Sequence, residues 1–161
     1  MGRTRRDGAA ADWHCLPPGR NGPVAVSLSI AGYAALFDIP DGARDVIVRG
    51  AFSRSLAQRR EPIPLYWQHR PEQRIGTVSL IEEDDRGLRV IATIDNPGSR
   101  AVAALLARET NGLSFGYRAR GYRPMPDTGS GAGRVLEDID LFEISLVTHP
   151  LQHGARVHMV Q

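Results

Sequence analysis

"IGTVSLIEEDDRGLRVIATI", residues 75–94, holds two runs in which apolar and polar residues alternate, separated by a Glu/Asp/Arg/Gly cluster. Period-two alternation puts the apolar side chains on one face of an extended chain. An acidic, glycine-bearing break between two such runs marks a hairpin. A β fold is read outward from this stretch.

Upstream, "VAVSLSIAGYAAL" (24–36) alternates at Val24, Val26, Leu28 and Ile30, and "IPLYWQH" (63–69) reads as a buried strand ending in His69. Downstream, "GLSFGYRARGYR" (112–123), "VLEDIDLFEISLVTHP" (135–150) and the short "ARVHMV" (155–160) continue the β pattern. Two segments break it. "GAFSRSLAQRR" (50–60) spaces Phe52 and Leu56 four apart, as a short amphipathic helix does. "NPGSRAVAALLARETNG" (96–112) is a helix with Ser99 as its N-cap and Asn111-Gly112 as its stop. "DIPDGARD" (38–45) and "PMPDTGSGAGR" (124–134) are a turn and a loop by composition. The expectation is a mainly β, α+β chain: an antiparallel β-barrel of about six strands, closed or nearly closed, with a few flanking helices. Closure would remove exposed strand edges.

The 161 residues fit a single domain. Residues 1–22 mix Gly, Pro, Arg and Ala without periodicity and read as a mobile arm, which leaves 23–161 as the domain. No apolar run is long enough to span a bilayer, and the basic start lacks the apolar stretch of a secretory signal, so no membrane partner is expected. The only cysteine is Cys15, which excludes a disulfide framework or a cysteine zinc site within this chain. All 20 basic residues are arginine, so serine–lysine dyads, Schiff bases and a P-loop lysine are excluded too. A net charge of +2 is too small for a dedicated nucleic-acid binder. The arginine–tyrosine interleaving of "YRARGYR" (117–123) is read as a solvated strand face.

Chemistry narrows to a few side chains. His149 and His153 are four apart, but Pro150 spoils a helix between them and no third ligand is near, so no metal and no cofactor is expected. His69 closes an apolar strand, a placement suited to proton transfer near neutral pH and equally to a surface histidine. Ser114 sits in "GLSFG", which matches the G-x-S-x-G spacing of a nucleophile elbow but lies in a β pattern instead of a strand-to-helix turn. A serine needs a base to become a nucleophile, and sequence spacing alone does not join residues 69 and 114. From the residues, a serine hydrolase and a tolerated polar strand residue both stand.

The order of motifs adds a resemblance. "RDVIVRGAFSRSL", "IPLYWQHRPEQRIGTV", "EDDRGLRVIATI", "NGLSFGYRAR" and "DIDLFEISLVTHP" together resemble the prohead (capsid-maturation) proteases of tailed phages with HK97-type capsids, over roughly residues 28–157. Similar proteases occur in phage-derived gene transfer agents. The resemblance implies a herpesvirus-protease-like fold and a serine endopeptidase, with His69 as base and Ser114 as nucleophile. It implies as partners the major capsid protein or its scaffolding segment, and the chain itself through autoprocessing. The implied location is the host cytoplasm, inside the assembling prohead; homo-oligomerisation is left open. A rival reading keeps the fold as a non-enzymatic scaffold or capsid-assembly protein. For the third member of the site the acidic residue of "EISLV", Glu143, is favoured over His149. Strict alternation sets Glu143, Ser145 and Val147 on one strand face, opposite Phe142, Ile144 and Leu146.

Overall fold

The computed structural model describes residues 27–127, 129 and 131–161, so the arm expected over 1–22 lies outside the described residues. In chain order the elements are β1 (Leu28–Leu36), β2 (Val46–Ile47), α1 (Ser53–Gln58), β3 (Pro64–Trp67), β4 (Arg70–Glu83), β5 (Gly87–Ile94), α2 (Arg100–Leu106), β6 (Gly112–Met125), β7 (Gly133–Val147) and β8 (Val157–Val160).

The hairpin of residues 75–94 forms as its alternation requires. β4 and β5 pair antiparallel from Glu83↔Leu88 to Gly76↔Ile94, with one irregularity between Val78 and Leu80. Leu88, Val90, Ala92 and Ile94 all point into the core. Asp84 closes the turn, its Oδ1 accepting from the backbone N–H groups of Arg86 (2.8 Å) and Gly87 (3.0 Å). A short acidic side chain bonding the backbone two residues on is what makes aspartate a turn former.

The helices are shorter than their patterns suggested. Phe52, fully buried, precedes α1 as its N-cap residue, and only Leu56 of the expected pair lies within the helix. Ser99 caps α2, its side chain accepting from Val102 N–H. The stop comes earlier than Asn111-Gly112: Arg108 adopts φ +60°, and Glu109 N–H bonds back to Ala104 O at 2.9 Å. A left-handed residue just past the last turn ends a helix whatever follows, which frees Gly112 to start β6.

β7 organises the sheet. β6 runs antiparallel along its whole length on one edge. On the other edge β2 and β3 pair with it in parallel, Val46↔Val135 and Leu65↔Ile144 among the partners. The full order is β2-β7-β3-β4-β5-β1-β8, with β6 beside β7. Two features correct the expected architecture: among the described residues there are eight strands with two parallel pairings, and the sheet is open. Its ends meet at a single bridge, Gly112↔Arg156, where Leu113 N–H donates to Ala155 O and Val157 N–H to Asn111 O. Ile47, Phe52, Leu65, Leu113, Leu136, Ile139, Leu141 and Ile144, at 0–1% exposure, fill the interior. Among the described residues no helix is long and apolar enough to cross a membrane. The arginines of β6 are spent locally: Arg120 pairs with Asp140 and Arg123 with Glu137, while Arg118 lies 5.9 Å from the Phe142 ring centroid.

Candidate active site

The strand expected to end in His69 ends two residues sooner. Trp67 and Arg70 pair directly, and the two residues between them, Gln68 and His69, have φ of +53° and +57°. This is a two-residue hairpin of the kind that needs two left-handed positions, normally met by Asn-Gly or Gly-Gly. Placing Gln-His there is unfavourable, and the surrounding bonds hold it. Gln68 N–H donates to Leu146 O at 3.0 Å, Gln68 Nε2 donates to Thr148 Oγ1 at 2.8 Å, and His69 N–H donates to Ser145 Oγ at 3.2 Å. Every one of those acceptors lies on β7 or at its exit. The parallel β3–β7 pairing thus folds the histidine back over the β7 face.

There its imidazole meets Glu143. Nδ1 of His69 stands 2.6 Å from Glu143 Oε1, while the other carboxylate oxygen, Oε2, accepts from Ser145 Oγ at 2.7 Å. A carboxylate accepts hydrogen bonds only, so Nδ1 carries the proton and the Nε2 lone pair is left to act. The glutamate side chain is 13% exposed and the imidazole 43%, so the acid is sheltered beneath a histidine that solvent reaches.

A β-bulge is what aims Glu143. Gly116 pairs with Glu143 but Tyr117 with Leu141, leaving Phe142 as an extra residue. In a regular strand Leu141 and Glu143 would share a face. The bulge breaks the phase, so that Leu141 and Ile144 both enter the core while Phe142, expected inside, is 48% exposed. Bulges beside functional sites commonly re-aim a side chain in this way.

Ser114 stands on β6 directly opposite Ser145, and Gly116 opposite Glu143. Directly opposed residues of an antiparallel pair share a face, so Ser114 lies on the face that carries the histidine–glutamate contact. His149 does not join them. It is exposed in the bend after β7, and no hydrogen bond engages it among the described residues. Alternation placed Ser145 on the face of Glu143, but nothing in the sequence showed that it is fully buried, at 0% exposure.

Gly116 is required by the carboxylate. A Cβ there would lie 2.6 Å from Glu143 Oε1 and 2.8 Å from its Cγ. Because the obstacle is a side chain and not backbone, the fold can yield while the carboxylate cannot stay. Gly116→Ala should leave the melting temperature within a few degrees of wild type and break the hydrogen bond between His69 and Glu143, seen as loss of a downfield Nδ1 proton resonance. Thermal melts and proton NMR on the same preparation check it.

A family model described as the caudovirus prohead serine protease matches residues 21–161. The prohead protease of Enterobacteria phage HK97 is 31% identical over 130 residues, 78% of this chain and 57% of that protein. The capsid polyprotein of Pseudomonas phage PAJU2 is 29% identical over 131 residues, 76% of this chain and 18% of the polyprotein. The chain therefore spans little more than half of the first relative and under a fifth of the second. Among solved structures, KSHV protease bound to a hexapeptide phosphonate inhibitor superposes with a TM-score of 0.55 at 16% identity, covering 84% of this chain and 65% of the other. Varicella-zoster virus protease gives 0.50 at 18% identity, covering 82% and 63%. The fold is thus herpesvirus-protease-like.

Proposed function

Since this chain belongs to the caudovirus prohead serine protease family, we propose that it is a serine endopeptidase of capsid maturation, with Ser114 as nucleophile, His69 as base and Glu143 as the acceptor behind the base. The observation that carries this reading is the 2.6 Å contact from His69 Nδ1 to Glu143 Oε1, on the face where Ser114 stands. The contact orients the ring and leaves Nε2 free to take the serine proton.

Ser114 Oγ attacks the scissile carbonyl as His69 Nε2 takes its proton. The imidazolium is stabilised by Glu143, then hands the proton to the leaving amine. Water repeats the cycle on the acyl-enzyme. The substrate is the major capsid protein's scaffolding segment or a separate scaffold, cut inside the assembling prohead in the host cytoplasm. Similarity to part of a phage protein named a capsid polyprotein supports a capsid substrate. Confinement in a shell raises the effective substrate concentration, so a slow enzyme of modest sequence preference suffices. The same confinement favours autoprocessing.

Co-expression with the major capsid protein it is proposed to process tests the proposal. The expected result is a shortened capsid protein, with new termini mapped by mass spectrometry. A capsid protein of unchanged size beside a folded, assembled partner would instead make this chain a scaffold. Salt-sensitive retention of DNA without cleavage would make it a nucleic-acid binder.

A further inference from the structure

Ser145 touches both members of the histidine–carboxylate contact. Its Oγ donates to Glu143 Oε2 at 2.7 Å and accepts from the backbone N–H of His69 at 3.2 Å. It is fully buried, between Ile144 and Leu146, which are buried as well. A hydroxyl in such a place costs stability unless its bonds are made, and here the proton and a lone pair are both used.

We infer that Ser145 is a positioning residue of this site; the inference rests on the reading of His69 and Glu143 given above. The hydroxyl acts on two freedoms at once. A glutamate side chain has three rotatable bonds, and anchoring Oε2 leaves Oε1 directed at the imidazole. The His69 backbone is held in the left-handed region, φ +57°, where a non-glycine residue stays only if its surroundings fix it. One oxygen therefore sets both the direction of the carboxylate and the height of the turn that carries the ring. Without it each side relaxes independently, and the 2.6 Å contact is no longer specified. Ser145 is itself unsuited to attack a carbonyl, because its proton is already committed to Glu143 and its surface is closed to substrate.

Threonine and valine have nearly the same shape and differ in the hydroxyl, so Ser145→Thr and Ser145→Val separate positioning from packing. The full-length protein is assayed on its capsid substrate, with thermal melts and NMR of the His69 Nδ1 proton in parallel. Serine-directed phosphonate labelling, mapped to the residue, is run on the same proteins.

For Ser145→Val, kcat should fall about 10- to 100-fold with KM within about twofold. Ser145→Thr should recover to within about fivefold of wild type. The downfield Nδ1 proton resonance should persist in wild type and Ser145→Thr and be lost in Ser145→Val. Equal rates and equal resonances in the two variants overturn the positioning role. Phosphonate on Ser145 in a Ser114→Ala background would make Ser145 the nucleophile and overturn both readings. A wild type that neither cleaves nor takes the label sinks the protease reading alone, since the NMR comparison still decides whether Ser145 holds the histidine.

Discussion

Ser114→Ala is expected to yield a folded protein that leaves the capsid protein uncut. In the proposed mechanism the change removes the oxygen that the histidine would activate, and loss of the nucleophile in a serine protease lowers kcat by roughly 10⁶-fold. On the timescale of assembly that is no product. Stability should barely respond, within about 1 kcal/mol, because Ser114 is half-buried on the strand face opposite Leu113 and Phe115 and alanine keeps the Cβ. The measurement is co-expression followed by intact mass of the capsid protein, with a melt of the purified variant. Normal trimming by the alanine variant would remove Ser114 from the mechanism.

A second large effect separates two candidates for the residue behind His69. Glu143 offers two oxygens and both are used, one by His69 Nδ1 and one by Ser145 Oγ. A carboxamide of the same shape accepts at one end only, so in Glu143→Gln either the histidine or the serine faces an NH₂ group. If it is the histidine, Nδ1 becomes the acceptor and Nε2 keeps the proton, the wrong tautomer for a base. The comparable change in a serine protease triad costs about 10⁴-fold, and a loss of roughly 10³–10⁴-fold is expected here. His149→Ala, in an exposed bend, should cleave at a near-normal rate. Measured side by side in one assay, the reverse pattern would transfer the role to His149.

These expectations were unequally legible in the sequence. The hairpin of residues 75–94 could be read because its signals are local: two alternating runs and an aspartate placed to bond the backbone across the turn. Ser99 as an N-cap is local as well. The Gln68–His69 turn was hidden because neither residue is one that left-handed turns favour; the bonds that hold it come from residues 145–148, far along the chain. The face of Glu143 was anticipated, but strict alternation placed Phe142 in the core, and a single unpaired residue reversed its side. Nothing in the local pattern announces that β3 and β7 lie parallel, yet that pairing carries His69 to a glutamate 74 positions away. Closure failed as an inference for a related reason: alternation says which face of a strand is buried, not whether the ends of a sheet pair beyond the one bridge found here.

The central place of β7 has a consequence in time. β2, β3 and β6 all precede it in the chain, and all three wait for it as a pairing partner. At roughly 5–20 residues per second the ribosome delivers β7 only after β1 to β6 have been made. Until residue 145 has emerged, the histidine hairpin has neither the carboxylate nor the hydroxyl that orient it. Contacts between segments so far apart also close slowly, after the local hairpins have formed. Under the proposed mechanism the nascent chain cannot cut before β7 has paired, so the site assembles later than the local hairpins.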